Sequence, residues 1–141
     1  MPLKYLIPVL LLLGTTAPLH ARLGETQEHC ILRYGNPVQY LPKGILFLKD
    51  GMKIYITFTA GLADSIFLQK IDSSAPQRAK PISESEIKQF LSENSGGCQW
   101  QYSSVLPDGD VIWITKKSEL GALYSQATCS LQVYTRENIA R

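Results

Sequence analysis

The sequence predicts an α+β domain: two tandem α-β-β-β units forming an antiparallel sheet, with two helices packed on one face. Three observations carry this. Two short stretches have helical apolar spacing and defined ends. Each is followed by segments that alternate between apolar and polar residues. Asp-Gly and Ala-Gly pairs punctuate those segments where hairpins would reverse. Antiparallel strands with their helices gathered on one side make a layered α+β fold.

Residues 1–21 read as a cleaved export signal. Lys4 supplies the positive start, Leu6 to Gly14 the apolar middle, and Thr15 to Ala21 a more polar tail ending in a small residue. The apolar run is much shorter than the roughly 18 residues that span a bilayer. The mature chain is predicted to start at Arg22, as one domain over 22–141, and to be periplasmic or secreted. Cleavage removes one basic residue and no acidic one from a chain of net charge +2. The near-neutral remainder has no electrostatic footprint for nucleic acid and no transmembrane segment.

The first unit covers about residues 24–72. Thr26 is the expected N-cap of a short helix, with Glu28 in its first turn. Cys30, Ile31 and Tyr34 form its buried stripe, Gly35 ends it, and Pro37 prevents continuation. Three strands follow. Ile45 to Leu48 turns at Asp50-Gly51, and Met52 to Thr59 turns at Ala60-Gly61. Leu62 to Ile71 then returns. Ile54, Ile56 and Phe58 face one way, and Lys53, Tyr55 and Thr57 the other.

Residues 73–81, rich in Ser, Pro and charge, read as a linker. The second unit, about residues 82–136, opens with the strongest local signal in the chain. Ser83-Glu-Ser-Glu86 is a capping box, with Ile82 and Ile87 placed as a hydrophobic staple. Ile87, Phe90 and Leu91 make the buried stripe, and Asn94 to Gly97 stop the helix. A strand carrying Cys98, Trp100 and Tyr102 follows, with a turn at Asp108-Gly109. Val111 to Thr115, apolar on both faces, is expected to be an inner strand. A single last strand is predicted from Leu123 to Thr135, with Leu123, Cys129, Leu131 and Val133 on one face. The tail from Arg136 is expected to fray.

Candidate chemistry is sparse. Glu84 and Glu86 are explained by the helix dipole and cap, and Asp108 and Asp110 by a turn. No Cys/His spacing suits zinc, and no cofactor motif is present. Trp100, Tyr102 and Trp113 read as core. Tyr40, Tyr55, Tyr124 and Tyr134 read as surface, and Tyr55, Tyr124 and Tyr134 as a recognition face opposite the apolar rows. The three cysteines leave two readings open in an oxidising compartment: a Cys98–Cys129 bridge between packed strands, or three reduced, buried thiols.

Gly24-x-Thr26, a short helix, Tyr34-Gly35-x-Pro37 and a strand pair with Phe58-x-x-Gly61 and Ile66 resemble a known pattern. It is that of the small outer-membrane assembly lipoproteins of the SmpA/OmlA type and the wider β-lactamase-inhibitor-protein-like fold. The Leu23-Gly-Glu-Thr26 start is also similar to that of uncharacterised exported bacterial proteins. The inhibitor proteins carry two tandem helix-plus-strands units. The chain lacks the lipid-attachment cysteine of the lipoproteins. The resemblance implies a non-enzymatic protein-binding or envelope-associated module, whose partner is another exported or envelope protein. The rival reading is a small exported enzyme with a scattered site using His29 or a cysteine.

Overall fold

The structure, a computed structural model, describes residues 22–115 and 119–136, with the backbone alone at 102 and 103. The export signal expected over 1–21, and the tail from 137, lie outside the described residues.

Helix α1 spans Gln27–Tyr34. The Thr26 hydroxyl accepts the amide of His29, and Gly35 takes φ 84° at the other end. Arg33 pairs with Glu25, which ties the helix to the chain leading into it. Five strands follow rather than three: β1 (Gln39–Leu41), β2 (Gly44–Lys49), β3 (Met52–Thr59), β4 (Leu62–Asp72) and β5 (Ala75–Lys80). The residues expected to form a linker thus contain β5, which pairs with the end of β4. As an edge strand it tolerates Pro76, which has no amide to donate to a ladder.

Helix α2 spans Glu84–Glu93 behind the capping box of Ser83 and Glu86. Strands β6 (Trp100–Val105), β7 (Val111–Thr115), β8 (Leu120–Ser125) and β9 (Ser130–Thr135) complete the described elements. The single last strand expected from Leu123 to Thr135 is instead the β8–β9 hairpin. Val111–Thr115 is an inner strand, with β6 on one side and β8 on the other.

The nine strands form one antiparallel sheet in the order β1-β2-β3-β4-β9-β8-β7-β6, with β5 paired to β4 off this path. The eleven-residue β4 divides one edge between two partners. Ser65 to Gln69 pair with β9, and Lys70 to Asp72 with β5.

Register aligns the core. Ile56, Ile66, Val133 and Ala122 are successive cross-strand partners, as are Ile54, Leu68, Leu131 and Tyr124. All eight are buried, and they join one cluster with Cys30 and Tyr34 of α1 and Ile87, Phe90 and Leu91 of α2. The Tyr34 ring meets Phe47 at a centroid distance of 5.3 Å. At α2, the buried Asn94 accepts the amide of Leu23 and donates to the Phe90 carbonyl. The chain entering α1 is thereby fastened to the end of α2. Among the described residues no helix is long and apolar enough to cross a membrane.

Candidate functional site

Tyr55 and Tyr134 are half-buried on the sheet face opposite the core, as strand alternation predicts. Tyr124 is not on that face. It is 9% exposed in the core, and its hydroxyl accepts the buried amide of Ile82. The reason is the hairpin at 126–129. Two strands with their own registers replace one, and Tyr124 falls in the row of Ala122 rather than opposite it.

His29 is exposed on α1, whereas Cys30 beside it is fully buried. Burial, and the nearby Glu25 carboxylate, push the Cys30 thiol up to about 11, so little thiolate exists near neutral pH. The three cysteines are free thiols, and only Cys30 is fully buried. Cys98 precedes β6 at the end of the sheet holding Thr115, and Cys129 precedes β9 at the end holding Ser125. Three strand spacings of about 4.8 Å and several residues along the strands separate them. A bridge needs α-carbons within about 7 Å. Trp100 and Trp113 are partly buried against the core, and the Trp100 indole donates to the Leu91 carbonyl. Among the described residues no three His, Cys, Asp or Glu side chains gather around a cation-sized space.

What the structure does bring together is a cleft of about 800 Å³ at the β3–β4 turn end of the face bearing Tyr134. Its floor begins with a register shift. Thr57 pairs with Ser65 and Phe58 with Ala63, so Asp64 is an extra residue in β4. Such a bulge re-aims a side chain that strict alternation would turn away. Asp64 reaches the side of Thr57, and its two carboxylate oxygens accept the hydroxyls of Thr57 and Thr59. Each oxygen keeps an open acceptor site.

The next strand supplies Tyr134 and Gln132. A Cβ built on Gly121, the cross-strand partner of Tyr134, would lie 2.5–2.8 Å from Cε2, Cζ and the hydroxyl oxygen of that tyrosine. The phenol edge of the ring therefore packs against the glycine, which leaves it room, and the side chain lines the cleft. Partial burial raises its phenol pKa. The Gln132 amide donates to the Ser65 hydroxyl at 2.9 Å, which fixes the amide against the floor. The β1–β2 hairpin forms a wall with Tyr40, Pro42 and Lys43. Tyr55 lies outside the cleft, with Cε2 3.0 Å from the Cβ position of Gly44, a position that the Ile56 carbonyl oxygen approaches more closely still.

Strand alternation places Tyr134 on the face it occupies but gives no sign of Asp64 or Gln132. The bulge follows from how β3 and β4 slip past each other, and nothing local to Asp64 announces it. Gly121, the small residue opposite Tyr134, is the legible signal.

No protein-family model matches the chain, and no curated protein matches it. Among solved structures, it is similar to a cysteine-rich secretory protein from Staphylococcus aureus subsp. aureus Mu50. The two share 13% identity with a TM-score of 0.47, over 84% of this chain and 46% of that one. This chain spans less than half the length of that protein.

Proposed function

We propose that the chain is an exported, non-catalytic binding module that engages another exported or envelope protein through the sheet face bearing Tyr55 and Tyr134. The carrying observation is the make-up of that face. Leu46, Tyr55, Phe67, Gln132, Leu123 and Ile112 follow one another across neighbouring strands, each half-buried. Leu48 beside them is 49% exposed. Apart from Gln132 the row is aromatic and aliphatic, with exposed Lys53 beside it opposite Leu48, an apolar centre with a polar rim as a recognition surface has. The Tyr55 ring is half-buried with one edge against Gly44, so part of its freedom is already lost before binding.

In this reading the chain is a tandem pair of helix-plus-meander units, with both helices on the core side. Support comes from the sheet order, in which β4 of the first half and β9 of the second meet side by side. It also accords with the resemblance to the β-lactamase-inhibitor-protein-like fold. Residues 1–21 are the export signal of this reading, and N-terminal sequencing of exported protein is expected to begin at Arg22.

The test uses chain 22–141 with a benzophenone photocrosslinker at position 55, and in a control at Lys88, which is exposed on α2. Irradiation in envelope extract of the source cells is expected to give a discrete adduct from position 55 alone. Excess unlabelled chain should compete it away. Equal adducts from both positions, or none that competes, would refute the reading.

A further inference from the structure

We propose that the cleft at the β4 bulge is a binding site for a neutral, polyhydroxylated ligand, a saccharide unit. The unit packs against the Tyr134 ring that lines the cleft, while Asp64 accepts hydrogen bonds from two adjacent hydroxyls. This rests on the reading of the chain as a binding module, but not on the partner being a protein.

The volume of about 800 Å³ falls within the range of small-molecule sites. The polar groups converge and are held. Asp64 is re-aimed by the bulge and oriented by two threonine hydroxyls, so its remaining acceptor sites have fixed directions. The Gln132 amide is fixed by Ser65, leaving its carbonyl oxygen to accept and its second N–H to donate. A hydroxylated ring presents both donors and acceptors around its edge and C–H groups on its faces. That combination matches a carboxylate, an amide and an aromatic ring lining one hollow.

The same residues disfavour other ligand classes. An anion such as phosphate would meet the Asp64 carboxylate. A cation would meet Lys43 in the wall, and the Asp64 charge it needs is already shared with two hydroxyl donors. A purely apolar ligand would bury Asp64 and Gln132 with open hydrogen-bonding capacity.

The experiment is saturation-transfer NMR and calorimetry on chain 22–141 with maltotetraose, cellotetraose, chitotetraose and mannotetraose as probes. At least one is expected to bind with a dissociation constant of about 1 mM or tighter. Asp64→Asn and Tyr134→Ala should each weaken it about tenfold or more. Tyr134→Phe keeps the ring and should bind nearly as tightly as the unaltered chain. Gly121→Ala, which displaces the ring, should weaken binding while Asp64 stays in place. Far-UV circular dichroism and the thermal midpoint establish that each variant is folded. No binding by any probe at about 10 mM, or folded Asp64→Asn binding as tightly as the unaltered chain, would overturn the proposal. Asp64→Asn should leave the position-55 adduct intact, so the two readings fail separately.

Discussion

At the scale of single residues, the informative side chains are polar groups inside the apolar cluster. The Tyr124 hydroxyl accepts the Ile82 amide at 3.3 Å, just ahead of the α2 N-cap. Tyr124→Phe keeps the ring but leaves that amide buried without a partner. The expected cost is about 1–2 kcal/mol in a urea titration. A loss below about 0.5 kcal/mol would mean the bond contributes nothing net. Cys30 and Tyr34 set the alkaline limit. Burial raises both, the thiol from 9.0 to about 11. The folded chain thus keeps protons that the unfolded chain releases. Stability is full below pH 9, the unfolded value, and falls as pH rises toward 11. Cys30→Ala should flatten that fall by about 2 kcal/mol while leaving the later Tyr34 contribution. Denaturation midpoints measured from pH 7 upward check this, and an unchanged slope in Cys30→Ala would sink it.

At the scale of elements, residue choice and backbone agree most closely at turns and caps. Asp50-Gly51 and Ala60-Gly61 both adopt positive φ at their two central residues, the conformation that matches strand twist in a two-residue hairpin. Alanine at φ 51° is the strained member. Ala60→Asn should therefore stabilise the protein by about 0.5–1 kcal/mol, read as a higher denaturation midpoint. Helix α2 depends on its buried face. Phe90 is 1% exposed, and Phe90→Ala should cost about 3–5 kcal/mol. A loss below about 1 kcal/mol would place Phe90 outside the core in solution. These elements were legible because their signals are local: a capping box, a glycine after an aspartate, apolar spacing. The missed elements lack such signals. Gln126 to Cys129 makes a turn without Gly, Pro, Asn or Asp, so β8 and β9 read as one strand and Tyr124 was assigned to the wrong face. Pro76 marks a linker by composition, yet here it sits on the edge strand β5. The Asp64 bulge, and with it most of the cleft, depends on tertiary register alone.

At the scale of the molecule, the seam between β4 and β9 decides whether the halves behave as one body. Ile66 and Leu68 of the first half pair with Val133 and Leu131 of the second, and all four are at most 3% exposed. The Leu23 amide bound to Asn94 adds a second crossing point, from the start of α1 to the end of α2. Neither half closes its own core. Without residues 82–136, β4 would expose most of one edge and the apolar row facing α2, and an unpaired edge of that kind invites aggregation. Unfolding should accordingly be a single cooperative transition. The tryptophans make this measurable, since Trp100 and Trp113 are the only two in the chain and both lie in the second half. Their fluorescence reports that half alone, while far-UV circular dichroism reports the whole sheet. The two probes should give coincident urea transitions, and a fragment of residues 22–81 should fail to fold by itself. A fluorescence transition displaced from the circular dichroism transition, or a folded 22–81 fragment, would show that the units are independently stable and that the β4–β9 seam only docks them.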